Sequence, residues 1–66
     1  MLIKLNGKET EVRDNVTLNS LLDNMKINPQ MVACEVNEQI VRSAKYPDTK
    51  LSPGDRVEIL QMICGG

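Results

Sequence analysis

Residues 1–13 read MLIKLNGKETEVR, two short strand-like segments joined by an Asn-Gly pair. The odd-numbered residues of the first segment are all apolar, which is the two-residue period of a half-buried strand. Asn6 and Gly7 favour a type I′ turn, because both central residues of that turn need a positive φ. The returning segment, Lys8 to Arg13, is short and polar, as is common for a strand at the edge of a sheet. We therefore predict a β-hairpin over this stretch.

A helix is predicted soon after the hairpin. Beyond Thr17 the apolar residues change to the spacing of a stripe along one side of a helix, at Leu18, Leu21, Leu22 and Met25. Thr17 itself is suited to be the N-cap of this helix. The helix should end near Lys26 after about ten residues, since Asn28 precedes Pro29 and is driven out of helical geometry.

Three more strands are predicted in the rest of the chain. Met31 to Val36 alternates between its two faces, and a turn then leads into the short pair Ile40-Val41. Arg42 to Lys50 is polar and is expected to be irregular, with Tyr46-Pro47 as a partly apolar anchor. After a second turn, Arg56 to Ile63 is the most strand-like segment of the chain.

The order of these elements predicts an α+β fold. A hairpin followed by a helix laid across one face of a sheet is typical of this class. The first and last strands are the most apolar, so we expect them to pair in parallel within the sheet. The predicted architecture is a mixed sheet of roughly four to five strands with one main helix packed across one face.

Length and composition describe a small globular protein. The chain has 66 residues, of which 41% are hydrophobic and 26% charged. We expect residues 1–66 to form a single domain, because this length leaves no room for a second. Tyr46 is the one aromatic residue, so the core is predicted to consist of Leu, Ile, Val and Met, with Cys34 on the inward face of its strand.

Composition also disfavours several classes of function. The chain has no histidine, the commonest general base near neutral pH and a common metal ligand, so neither a stand-alone enzyme nor a metal site is expected. Eight Lys and Arg residues against nine Asp and Glu residues provide no basic field for nucleic acid. No run approaches the roughly 20 apolar residues of a membrane span. We therefore expect a cytoplasmic protein with reduced thiols.

The last residues, Cys64-Gly65-Gly66, are interpreted as a flexible tail over 64–66. Two glycines have no Cβ atoms, so they would allow the Gly66 carboxylate to enter a channel too narrow for other residues. A carboxylate is a poor acyl donor until its oxygen becomes a leaving group. A donor tail therefore implies a separate enzyme that activates Gly66 with a nucleotide, whereas the alternative is a frayed terminus, in which glycine is common.

A docking surface for such an enzyme is predicted on the strands that lead to this tail. Leu60 and Met62 should face outward on the last strand beside Leu2 on the first, and together form an apolar patch. Scattered surface apolar residues are the ordinary alternative. Cys64 extends this region as an apolar residue at the strand end, and the alternative is a thiol that attacks the neighbouring activated carboxyl group.

Several motifs in one order resemble the ThiS-type sulfur carriers of the ubiquitin-like ThiS/MoaD family. They are the helix that begins at Thr17, the segments Val36–Val41 and Pro53–Ile59, and the terminal Gly65-Gly66. The resemblance covers essentially the whole chain and implies a β-grasp, ubiquitin-like fold. Tyr46 occupies a position where the family often has Trp, which we interpret as surface variation.

The resemblance also implies a mechanism. In the family, a ThiF-type adenylyltransferase uses ATP and magnesium to adenylate the terminal glycine carboxylate, here that of Gly66. Sulfur from the persulfide of a cysteine desulfurase then displaces AMP and leaves a C-terminal thiocarboxylate. In the ThiS branch, a ThiG-type thiazole synthase takes this sulfur for the thiazole ring of thiamine. The carrier itself binds no stable cofactor.

Three alternatives stay open at this point. The chain is also compatible with a sulfur carrier for another pathway, such as molybdenum or tungsten cofactor, cysteine or homocysteine synthesis. A ubiquitin-like modifier would instead end in an amide bond between Gly66 and a lysine of another protein. A non-covalent β-grasp binding module would not need Gly66 at all.

Overall fold

The protein is a five-stranded mixed sheet with one α-helix packed on one face. The computed structural model describes residues 1–61. Strands β1 and β5 are parallel, the other neighbours are antiparallel, and the order across the sheet is β2-β1-β5-β3-β4. The predicted mixed sheet with one main helix is confirmed, and the strand count is five. The elements are β1 (Leu2–Leu5), β2 (Lys8–Glu11), α1 (Leu18–Asn24), β3 (Val32–Val36), β4 (Gln39–Val41) and β5 (Arg56–Gln61).

The hairpin of β1 and β2 has the predicted turn. Asn6 and Gly7 both have positive φ, 51° and 82°, as a type I′ turn requires. The side chain of Asn6 also accepts a hydrogen bond of 2.8 Å from the backbone N–H of Ile59, so the turn attaches the end of β1 to β5. Strand β2 ends at Glu11 rather than at the predicted Arg13, and the N–H of Val12 still donates a hydrogen bond of 2.8 Å to the carbonyl of Met1.

Helix α1 begins as predicted but is shorter than predicted. The side-chain oxygen of Thr17 accepts a hydrogen bond of 3.1 Å from the backbone N–H of Ser20 and caps the helix. The helix ends because Lys26 takes a left-handed conformation with φ of 58°. The N–H groups of Lys26 and Ile27 then donate to the carbonyls of Asp23 and Leu22, which is a Schellman motif. The predicted end near Lys26 was therefore two residues late, and its cause is the Schellman motif rather than Asn28-Pro29.

Tyr46 is the clearest correction to the predicted core. The segment that was expected to be irregular contains a 3₁₀ helix, Ser43–Asp48. Tyr46 lies in this helix, and only 1% of its surface is exposed. The Tyr46 hydroxyl donates a hydrogen bond of 3.2 Å to the carbonyl of Val32. Burial raises the pKa of Tyr46 to about 12. Tyr46 is therefore a central core residue, and its interpretation as surface variation was wrong.

The rest of the core is aliphatic with one thiol. Cys34 is fully buried on the inward face of β3, as predicted, and burial raises the pKa of its thiol. Of the methionines in residues 1–61, Met25 and Met31 are exposed, and Met1 is partly buried and packs against the core. Met25 follows the last helical residue, so the early end of α1 takes it off the buried stripe. The buried residues are Ile3, Val16, Leu18, Leu21, Leu22, Val32, Cys34, Tyr46, Leu51, Val57 and Ile59.

Candidate functional site

Four of the six predicted site residues lie outside the described residues. These are Met62, Cys64, Gly65 and Gly66, and the tail predicted over 64–66 lies outside them as well. Their proposed roles in docking and sulfur transfer therefore stay predictions. The structure describes the other two, Leu2 and Leu60, together with the strand that leads into residues 62–66.

Leu2 and Leu60 are not brought together. Both are about half exposed, 49% and 54%, and both point to the face of the sheet opposite α1. The parallel register of β1 and β5 pairs Lys4 with Arg56, so it places Leu2 level with Gly54, six residues before Leu60. At about 3.3 Å per residue the two side chains are roughly 20 Å apart along the strands. The predicted contiguous patch of Leu2 with Leu60 was wrong.

Leu60 instead lies beside apolar residues of β3 and β4. Ala33 is directly opposite Leu60, and Ile40 on β4 is one diagonal step from Ala33, opposite Glu35. Ile40 is 78% exposed, the most of the large apolar residues in the described part of the chain. We call Ala33, Ile40 and Leu60 the outer patch. Ala33 and Ile40 were not predicted as site residues, because the register that joins three strands is not contained in any one of them.

Two carboxylates lie next to the outer patch. Glu35 and Glu58 are directly opposite each other on β3 and β5, and Glu35 is in turn opposite Ile40. We call Glu35 and Glu58 the acidic pair. Like charges in this position destabilise a sheet. Among the described residues neither of them forms an ion pair, whereas the neighbouring Arg56 is 2.9 Å from Glu38. A cationic side chain from a partner would relieve this repulsion.

Strand β5 is held from both sides. On the β3 side, the side chain of Asn37 accepts a hydrogen bond of 2.9 Å from the N–H of Arg56 and donates one of 3.0 Å to Asp55. On the β1 side, Asn6 accepts from Ile59 as described above. These bonds fix the position of Leu60 relative to the body of the protein. The strand that leads into residues 62–66 therefore starts from a rigid support.

The described residues provide little chemistry of their own. Residues 1–61 contain no group of three or more acidic, cysteine or histidine side chains placed to hold a metal ion. No helix in that range is long and apolar enough to cross a membrane. Cys34 is buried and its pKa is raised, so it is a poor nucleophile. Binding through the outer patch and the acidic pair is what this arrangement can do.

The architecture of the sheet and helix defines the class of the protein. A five-stranded mixed sheet, with β1 and β5 parallel at its centre and a single helix across it, is a β-grasp domain. A family model described as the ThiS family matches residues 2–66. The chain belongs to the ThiS family, the sulfur-carrier family that its motifs resemble. Members of this family are carrier proteins, so the chain is not itself catalytic.

Three similar proteins agree with this assignment. A thiazole synthase of Paramagnetospirillum magneticum is 32% identical, and one of Magnetococcus marinus 33% identical, over all of this chain. The chain spans only 20% of the length of each of these relatives. The crystal structure of a thiamine biosynthesis protein, ThiS, from Geobacter metallireducens has a TM-score of 0.87 and 28% identity, with both chains fully covered. It confirms the predicted β-grasp fold.

Proposed function

We propose that this chain carries sulfur for the thiazole ring of thiamine as a thiocarboxylate on Gly66. The observation that supports this most strongly is that the whole chain is similar to one fifth of two thiazole synthases. In those proteins a ThiS-like segment shares a polypeptide with the enzyme that would accept its sulfur. The Geobacter relative, whose fold matches over the full chain, is a thiamine biosynthesis protein. The other carrier pathways have no such support.

The proposed reaction needs enzymes and nucleotide from outside the chain. A ThiF-type adenylyltransferase, with ATP and magnesium, converts the Gly66 carboxylate into an acyl adenylate. The outer sulfur of a cysteine desulfurase persulfide attacks the acyl carbon and displaces AMP, which gives an acyl persulfide. A second thiol then cleaves its S–S bond, forming a disulfide and leaving the thiocarboxylate that a ThiG-type thiazole synthase consumes. Gly65 contributes by its lack of a Cβ atom, which suits a narrow channel. A cytoplasmic location fits this chemistry, because it requires ATP and reduced thiols.

Docking of the body is the part of this proposal for which the described residues provide evidence. We propose that the outer patch and the acidic pair form the contact with the activating enzyme and the synthase, and that Met62 and Cys64 extend it. The patch is apolar, Ile40 and Leu60 are exposed, and Leu60 is on the strand that leads towards Gly66. The acidic pair adds an unneutralised charge that favours a basic residue on the partner. Leu2 is given no part in this contact, because it lies at the other end of the sheet.

The test compares Leu60→Asn with a matched control, Leu2→Asn. The two leucines are exposed to a similar degree on the same face, so both substitutions should leave the fold intact. Full burial of a leucine side chain contributes about 1.5–3 kcal/mol, and Leu60 is 54% exposed, so a partner can gain about half of this. Leu60→Asn should therefore weaken binding to a ThiF-type enzyme by about four- to fifteenfold. Leu2→Asn should bind like the unmodified protein in the same titration calorimetry experiment. Equal effects of the two substitutions would contradict the proposed surface.

A further inference from the structure

Strand β2 has an unpaired edge. It is the first strand in the sheet order and has β1 on one side only. The N–H of Val12 donates to the carbonyl of Met1, so the even-numbered residues of β2 are the ones that bond to β1. Glu9 and Glu11 therefore direct their backbone N–H and C=O groups away from the sheet. In the described residues, no strand pairs with them.

An apolar groove lies beside this edge, between β2 and α1. Its volume is about 490 Å³, and its apolar lining is Leu5, Val12, Val16, Leu21 and Met25. The groove exists because α1 ends at Asn24 and packs towards the 3₁₀ helix Ser43–Asp48. That helix lies on the same face of the sheet as α1, away from the β2 edge. Side chains of an additional strand at the β2 edge would alternate between this groove and the outer face. We call β2 and this lining the edge groove.

The charge of the edge indicates what kind of strand fits. Glu9 and Glu11 face outward on β2, where Glu9 is opposite Lys4. The Glu11 carboxylate is 3.0 Å from the N-terminal ammonium of Met1, so Glu9 is the carboxylate of this edge that is left for a partner. A second copy of the chain is a poor occupant, because antiparallel pairing about Thr10 would put Glu9 of one copy opposite Glu11 of the other. A strand with Lys or Arg opposite Glu9 would instead form a cross-strand pair of opposite charge.

We propose that the edge groove binds an extended segment of a partner protein by strand addition. The segment places apolar side chains in the groove and a basic side chain opposite Glu9, and its backbone bonds to the outward N–H and C=O groups of Glu9 and Glu11. This inference does not depend on the sulfur-carrier function. The edge groove is on the opposite edge of the sheet from β4 and on the helix side, so it and the outer patch can be occupied together.

The probe for this proposal is a capped synthetic peptide in which valine and lysine alternate. The control is the same peptide with glutamate in place of lysine. Binding is followed by amide NMR of the full chain, with hydrogen exchange of the Glu9 and Glu11 amides as a readout that needs no variant. The lysine peptide should shift these two amides and slow their exchange, and the glutamate peptide should bind less tightly. Shifts elsewhere only, or equal affinity for both peptides, would overturn the proposal.

A pair of substitutions at one position separates backbone pairing from charge. Glu9→Pro removes an outward N–H that makes no bond to β1, a change that edge strands tolerate. Loss of the hydrogen bond between this N–H and the peptide backbone should weaken binding of the lysine peptide by about three- to tenfold. Glu9→Gln keeps the N–H and should weaken binding of the lysine peptide by about twofold, because the charge is lost. If Glu9→Pro folds, as its amide spectrum will show, and binds as well as Glu9→Gln, strand addition is wrong.

Discussion

Replacing Glu58 by glutamine should make the protein more stable and a weaker partner for its activating enzyme. Glu58 is directly opposite Glu35, with no ion pair to either carboxylate among the described residues. A repulsive pair of this kind is a cost to folding. Because the acidic pair borders the outer patch, we expect it to contribute to partner binding.

The size of the effect follows from the register. Directly opposite side chains in a sheet have Cβ atoms about 5 Å apart, which leaves the two carboxylates roughly 6 Å from each other. Two unit charges at about 6 Å repel by about 0.7 kcal/mol in water. Salt at about 0.15 M, with a Debye length of about 8 Å, reduces this by roughly half. Removal of the pair should therefore raise the melting temperature by about 1–6 °C.

Thermal unfolding followed by circular dichroism measures this gain. The control is Glu9→Gln, which removes a carboxylate opposite Lys4 instead of opposite an acid, and which should lower the melting temperature slightly. At about 1 M salt the Debye length falls to about 3 Å, so both effects should nearly vanish. If Glu58→Gln is no more stable than the unmodified protein at low salt, the acidic pair is not repulsive and the reasoning fails.

Three further predictions concern the fold. Lys26→Gly should stabilise the protein by up to about 1 kcal/mol in urea unfolding, because glycine takes the left-handed φ of 58° without strain. A loss of stability would contradict the assigned Schellman motif. Asn6→Gly keeps the turn but removes the acceptor for the Ile59 N–H, and should cost about 1 kcal/mol, whereas Asn15→Gly, at another residue with positive φ, should cost nothing. The pKa of Tyr46 is raised from 10.0 to about 12, so the folded protein holds the Tyr46 proton more tightly than the unfolded chain does. The stability that this provides should be complete below pH 10 and should fall as pH rises towards 12. The comparison is made with Cys34→Ala in both proteins, which removes the other buried group of raised pKa and the part of the Tyr46 shift that Cys34 causes. The loss should then be on the order of 2 kcal/mol or less and absent from Tyr46→Phe, and equal alkaline losses in the two proteins would contradict it.

Local patterns predicted most of the fold. The Asn6-Gly7 pair and the Thr17 cap are residues whose chemistry specifies the geometry at their own positions, and both were found as predicted. The end of α1 was not, because lysine carries no preference for the left-handed conformation that Lys26 adopts. The burial of Tyr46 was missed because one aromatic residue in a polar 3₁₀ segment produces no period.

The candidate site was only partly predictable, for a different reason. Leu60 faces outward, as its strand period indicates, but its neighbours depend on how β3, β4 and β5 align. That register is set by pairings between residues far apart in sequence, which no single segment contains. The alignment of the strands also separates Leu2 from Leu60 and places Ala33 and Ile40 next to Leu60.

The most direct test of the carrier function is the intact mass of the chain after incubation with ATP, magnesium, a ThiF-type enzyme, a cysteine desulfurase and cysteine. The account predicts the replacement of one oxygen by sulfur, located at Gly66 by fragmentation, and no reaction when Gly66 is deleted. An activating enzyme that modifies its own known carrier under the same conditions serves as the positive control. If that enzyme binds this chain and leaves Gly66 unmodified, the chain is not a sulfur carrier.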